Sequence, residues 1–268
     1  MKILAIDTSG QQAGAAIIDD YIIIGEILLN ARTGEKSWTH SEILMPGIDQ
    51  LFKLTGVNMH HIDTIAYTSG PGSFTGLRIG ASTALGLANG LNKPTIPVPT
   101  LDSLAYNMLG AGSNGSVVPM MDARRGQVYS AVYQQGESGT LTRTTDYMAL
   151  PVEEMIAKIK CENIILLGDG ACAFKDILKA SLPHAIFAPQ NNNRQRASSA
   201  AAWALERIKA GYTPSDNVDI LYVRAPQAVQ DLKKKVATPL PEGSGAGIHS
   251  SRSGGVWGNP PLSKEKKS

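Results

Sequence analysis

The chain has 268 residues, 43% of them hydrophobic and 18% charged, with a formal net charge of +2 and two cysteines. That is the composition of an ordinary globular protein with one large core or two smaller ones. Its apolar residues come in short blocks, none near the eighteen or so needed to span a bilayer. The first residues run straight into a strand pattern rather than a signal peptide, so a soluble, cytoplasmic protein is expected. Cys161 and Cys172 form no CxxC pair, and the five histidines show neither HExxH nor HxxxH spacing, so no metal site is predicted. The basicity belongs to the C-terminal stretch. Residues 232–268 hold seven Lys/Arg and two Asp/Glu, leaving eighteen against twenty-one in residues 1–231.

In chain order, "KILAIDTS" (Lys2 to Ser9), "GAAIIDD" (Gly14 to Asp20) and "YIIIGEILL" (Tyr21 to Leu29) read as three successive strands. A helix follows over "HSEILMPGIDQLFKL", with an apolar arc running from Ile43 through Leu44, Ile48 and Leu51 to Met45, and with a kink expected at Pro46. "IDTIAYT" reads as a buried strand, "TSGPGSFTGLRIGASTALGLANGL" as a Gly-rich loop and second helix, and "PTIPVPT" as a short strand, giving the order βββαβα.

The second half repeats this plan. "SVVPMMDARRGQVYSAVYQQ" aligns with the N-terminal stretch so that Asp122 falls on Asp7, and "ENIILLGDGACAF" matches "DTIAYTSGPGSF" as strand, glycine turn and helix. Duplicated lobes are therefore expected. "SSAAAWALERIKAG" is a closing helix that stops at Gly211. The Gly-, Ser- and Pro-rich stretch after Lys235 is expected to be disordered.

The Gly-rich loop fails as a P-loop, because no lysine follows it. It fails as a dinucleotide fingerprint because Thr75 stands where the third glycine belongs, and as a nucleophile elbow because Pro71 and Thr75 flank Ser73. A tight strand-to-helix turn or an amide cradle for an anion remains. The helix carries no charged residue from Ile79 to Asn92, so it has no ordinary solvent face. Gly76, Gly80, Ala84 and Ala88 form one small-residue stripe and Ser82, Gly86 and Gly90 another. Either a single lobe encloses this helix, or another chain docks on it.

Asp7, Asp122, Gly168 and Gly170 mark a candidate nucleotide cleft, and each equally suits a turn. Arg124 and Arg125 suit an anion or RNA contact or simple solvation. His40 reads as a base, a ligand or a capping residue, and Tyr129, Tyr133 and Trp203 as core. An enzyme of the kinase or ATPase type would use Asp7, Asp122 and Gly168 to Gly170; a peptidase would require a metal.

The segments "ILAIDTS", "GPGSFTGLRIG", "PTLDSLA", "DARRGQVY" and "YVRAPQAV" resemble, in order and spacing, the TsaB (YeaZ) family over residues 1 to about 235. The resemblance implies a two-lobed α/β fold of the actin, sugar-kinase and heat-shock-chaperone type with duplicated βββαβα lobes. An N-terminal lobe would span residues 1–100, a C-terminal lobe 101–235 and a basic tail 236–268. It further implies a non-catalytic subunit for tRNA threonylcarbamoyladenosine formation, paired with a metal-dependent TsaD-type transferase and joined by a TsaE-type ATPase.

On that resemblance the pairing surface comprises Ile43, Leu44, Ile48, Leu51 and Phe52 on the first helix and Leu77, Gly80, Ala81, Ala84, Leu85 and Ala88 on the second. Gly80→Arg or Gly86→Arg is then expected to abolish pairing while the monomer stays folded. The metal-ligating histidines of the transferase paralogues have no counterpart in "VPTLDSLAYNML", and Thr8–Ser9 stands where nucleotide-binding members place a glycine. No catalytic residue, metal or tightly bound cofactor is therefore expected, with ATP or ADP entering only in the complex. Contact with tRNA would be indirect or through the complex, and the sticky helical face also suits a homodimer when the partner is missing.

Overall fold

In a computed structural model the described residues are 1–30, 32–33, 36–110, 115–136, 140–161, 163–215, 217 and 219–224, so the expected tail 236–268 lies outside them. They fall within one compact unit, Met1–Pro226. The first three strands form as read: β1 (Lys2–Asp7), β2 (Gln12–Asp19) and β3 (Ile22–Asn30). A short hairpin, β4 (Arg32–Thr33) and β5 (Lys36–Ser37), leads to α1 (His40–Thr55). At its start the Glu42 carboxylate accepts from the Thr39 amide at 2.6 Å, and Gly56 ends it in the left-handed region with φ 67°. The helix continues through Pro46.

Next come β6 (Thr64–Gly70), α2 (Phe74–Leu91), β7 (Thr95–Pro99) and α3 (Thr100–Tyr106). The first sheet has the order β3-β2-β1-β6-β7, with β1 antiparallel to β2 and parallel to β6.

The second half contains β8 (Ser116–Arg124), β9 (Gln127–Ser130), β10 (Tyr133–Gln135), β11 (Leu141–Arg143), β12 (Met148–Pro151), α4 (Val152–Lys158), β13 (Ile164–Leu167), α5 (Asp169–Ala173), α6 (Lys175–Ser181), β14 (Ile186–Phe187) and α7 (Ala197–Lys209). Its sheet runs β11-β10-β8-β13-β14, the first sheet's plan with the same strand senses. The duplication read from the sequence is thus present as topology. One difference is that β9 and β12 pair separately beyond Ala131–Val132, so two strands of the repeat are each split in two.

The sheets are hydrophobic on both faces, which fixes where the helices lie. Leu44, Ile48, Leu51 and Phe52 of α1 and Ala81, Ala84 and Ala88 of α2 cover one face of the first sheet, against Leu4, Ile6, Ile17 and Tyr67. Its other face is covered by α7, whose Ala197, Ala200, Ala201, Ala204 and Leu205 meet Ile3, Ala5, Ala66 and Val98. Thus α7, which follows the second half in sequence, packs on the sheet of the first. Ser215 pairs with Thr95, and the Leu221 amide donates to the Ser69 carbonyl at 2.8 Å, so the last described residues also return to the first sheet. Among the described residues no helix is long and apolar enough to cross a membrane.

Candidate functional site

The glycine-rich loop is a packed turn. The Ser73 amide donates to the Ser9 carbonyl at 2.7 Å, the Ser73 hydroxyl accepts from the Gly76 amide at 3.2 Å, and the Leu77 amide donates to the Ser73 carbonyl at 2.8 Å. Three amides of the loop and first turn, those of Ser73, Gly76 and Leu77, are thus engaged within the chain. Glycine is required at Gly76 and Gly80 because a Cβ there would overlap the Thr8 carbonyl and the Thr8 hydroxyl. The end of β1 therefore sits directly under the first two turns of α2.

The two small-residue stripes have opposite fates. Gly76, Gly80, Ala84 and Ala88 face the sheet and are buried, whereas Ser82, Gly86 and Gly90 are exposed, and a Cβ at Gly86 or Gly90 would meet no atom within 4 Å. Leu44, Ile48, Leu51, Phe52, Leu77, Gly80, Ala81, Ala84 and Ala88 are enclosed by the chain's own sheet and present no open area. Ile43 and Leu85 are half-buried. The outward strip consists of Ser82, Gly86 and Gly90, with Met45 of α1 exposed on the neighbouring helix. For the same reason Gly80→Arg cannot leave the monomer intact, while Gly86→Arg can.

A cleft of about 570 Å³ opens at the N-terminal end of α2, lined by residues from both halves, among them Ser9, His40, Ser73, Asp122, Tyr129 and Asp169. The candidate nucleotide residues reach it unequally. Asp7 is buried beneath Ser9, and burial raises its pKa above 3.8, against the opposing hydrogen bonds of Ser9 and the charge of His40. Its Oδ1 accepts from the Ser9 amide at 2.9 Å and the Ser9 hydroxyl at 2.7 Å, but its Oδ2 is buried without a partner.

Asp122 lines the cleft and accepts from the Arg124 amide at 2.8 Å. Gly168 and Gly170 do not line it. A Cβ on either would collide with the β8 backbone at Met120 and Met121, so these glycines serve the close packing of a turn. Between them Asp169 accepts from the Asp122 and Gly170 amides at 3.1 and 2.9 Å, and burial raises its pKa.

The cleft lining carries Asp122 and Asp169, two carboxyl groups that oppose a phosphate placed beside them. Among the described residues, no group of three or more His, Cys, Asp or Glu is arranged to hold a metal ion.

Tyr133 and Trp203 are buried, as read, but Tyr129 is half-buried and faces the cleft. Sequence reasoning missed an aromatic and cationic rim at the mouth. The Phe74 and Tyr222 rings lie 5.8 Å apart, the Arg78 guanidinium stands 3.8 Å above the Phe74 ring, and its Nε donates to the Tyr222 hydroxyl at 3.4 Å. The i, i+4 spacing of Phe74 and Arg78 on a helix was the available signal; Tyr222 lies 144 residues from Arg78 and gave none.

Comparison with known proteins agrees with this architecture. A family model described as "TsaD: tRNA N6-adenosine threonylcarbamoyltransferase" matches residues 34–229. The tRNA threonylcarbamoyladenosine biosynthesis protein TsaB of Escherichia coli K12 is 33% identical over 184 residues, covering 68% of this chain and 77% of that protein. TsaB of Bacillus subtilis 168 is 31% identical over 181 residues, covering 67% and 76%. The solved structure of YeaZ from Pseudomonas aeruginosa superimposes with a TM-score of 0.69 at 23% identity, covering 82% of this chain and 99% of that one. With its duplicated sheets and this degree of likeness, the chain belongs to the TsaB (YeaZ) family of tRNA threonylcarbamoyladenosine biosynthesis proteins.

Proposed function

We propose that this chain is a non-catalytic scaffold and activator in tRNA N6-threonylcarbamoyladenosine formation, pairing with a TsaD-type transferase and working with a TsaE-type ATPase. The observation that carries the reading is the outer strip of α2. Ser82, Gly86 and Gly90 form an exposed, uncharged path with open space above the two glycines. Each interior glycine costs a helix about 1 kcal/mol relative to alanine. Gly86 and Gly90 gain nothing in return within this chain, whereas a second helix can approach closely over them. Pairing there stabilises whichever partner conformation fits the strip, and only differential affinity of that kind shifts a partner's equilibrium.

The cleft supports the same assignment. Asp7 is buried and does not line it. No cofactor is tightly held on this reading, and ATP or ADP acts only in the complex.

The test compares Gly86→Arg with the parent chain. Expected are loss of co-purification with the transferase, loss of tRNA modification in a reconstituted mixture, and an unchanged circular dichroism spectrum and melting temperature. Retained co-purification would refute the assignment, as would tight Mg-ATP binding by the isolated chain in calorimetry.

A further inference from the structure

We infer that the rim of the cleft is a contact site for single-stranded RNA. Phe74, Arg78 and Tyr222 would stack an unpaired base, and Arg124 and Arg125 would hold the phosphate backbone. This rests on the proposed role in tRNA modification and names what the subunit itself touches on the RNA substrate.

The backbone of the arginine turn is unusual. β8 and β9 are joined by a two-residue turn, Arg125–Gly126, with φ of 56° and 75°, and the residue before it, Arg124, has φ 66°. Positive φ at both turn positions is the type I′ pattern, which favours Asn or Asp before glycine. Two successive arginines in the left-handed region are a strained choice, and such strain persists where it serves a site. Arg124 lines the cleft, and Arg125 follows it in the exposed turn. The Arg124 side chain is 78% exposed, with one long contact of 3.3 Å to Asp122, and Arg125 is exposed.

The lining also includes aromatic groups. Phe74 and Tyr222 are each about two-fifths exposed, and Trp38, similarly exposed, also lines the cleft. The Arg78 guanidinium lies over the Phe74 ring, extending the stacking surface and bringing a positive charge to it. Arg224 donates to the Ala123 carbonyl at 3.1 Å and so ties the segment carrying Tyr222 to the arginine hairpin. Exposed aromatic faces beside guanidinium groups match the two recurring parts of single-stranded nucleic acid, bases and phosphates. The acidic floor repels phosphate but accepts from base amino groups, so the backbone would follow the rim while a base edge turns inward.

The experiment measures binding of a fluorescent single-stranded RNA oligonucleotide to the full chain by anisotropy, over about 50–200 mM salt. Arg124→Ala/Arg125→Asn and Phe74→Ala are each expected to weaken binding about tenfold. The double arginine variant should also flatten the salt dependence, by about 0.7 in slope for each phosphate it no longer neutralises. The single variant Arg125→Asn creates the favoured Asn–Gly turn, so it is expected to raise the melting temperature while weakening RNA binding, which separates the contact from any folding defect. Lys53→Ala, about 20 Å along α1 from the cleft, should bind as the parent does.

Three results would overturn the inference: the double arginine variant binding as tightly as the parent, no binding by the parent below about 100 µM, a limit near non-specific affinity, or poly-glutamate competing as well as RNA. Transferase co-purification is expected to survive the arginine variants, and RNA binding to survive Gly86→Arg. Failure of the RNA contact is therefore distinguishable from failure of the scaffold assignment.

Discussion

Gly80 of α2 lies directly on the Thr8 hydroxyl at the end of β1, so closely that a Cβ on the glycine would overlap it. The Thr8 hydroxyl in turn donates to the Gly76 carbonyl at 2.7 Å. Gly80→Ala therefore has to push helix and strand apart and is expected to destabilise by about 1–3 kcal/mol. Gly86→Ala, on the open side of the same helix, is expected to stabilise by about 0.5–1 kcal/mol. Urea denaturation of the two variants should give shifts of opposite sign.

Asp7 holds an unpartnered oxygen in a fully enclosed position. Its raised pKa means that its contribution to stability is fully present below the ordinary 3.8 and is lost as pH rises through the folded-state value. Asp7→Asn keeps an acceptor for Ser9 and removes the ionisation. Its stability is expected to match the parent in acid and to exceed it near neutrality. Melting temperatures followed across that range check this; a variant less stable than the parent at neutral pH would refute it.

Asp102 on α3 accepts at a single oxygen from two tyrosine hydroxyls, Tyr133 on β10 and Tyr147, the latter at 2.9 Å. Burial raises the pKa of Asp102, with the two hydrogen bonds opposing it. Tyr133→Phe removes one donor from an enclosed carboxyl group and is expected to cost about 1–3 kcal/mol. The loss should be smaller in acid, where a protonated Asp102 needs fewer donors. Chemical denaturation at two pH values measures both effects.

Glu26 on β3 caps α7 from outside the helix. Its carboxylate accepts from the Ser198 amide at 3.0 Å, the Ser198 hydroxyl at 2.7 Å and the Arg196 guanidinium. Glu26→Ala leaves the first turn of α7 without that acceptor and is expected to cost about 2 kcal/mol. Hydrogen exchange should accelerate first at the start of α7.

The fold was legible in the sequence where local chemistry determines it. Ile-, Leu- and Ala-rich runs, the apolar arc from Ile43 through Leu51 and the Asp7–Asp122 correspondence sufficed for the strands, the first helix and the repeat. Long-range packing was not legible. Nothing in "SSAAAWALERIKAG" says which sheet its alanines meet, and no Gly or Pro marks the break at Ala131–Val132.

The candidate site was half legible. Absence of charge from Ile79 to Asn92 pointed to α2, but two uncharged stripes of small residues look alike in periodicity. Only the position of Thr8 reveals that one presses on β1 while the other stands open. Phe74 and Tyr222 meet across 148 positions of chain, a separation that no local pattern encodes.

Duplication has not made the two halves equal. In the first half the glycine turn leads into an eighteen-residue helix, α2, but its counterpart in the second half is the five-residue α5 followed by α6. One plan used twice has thus produced a single arm instead of two. If the proposed pairing uses that arm, the second half, among the described residues, offers no helix of equal length to repeat it, so the plan favours a closed pair over an open chain of copies.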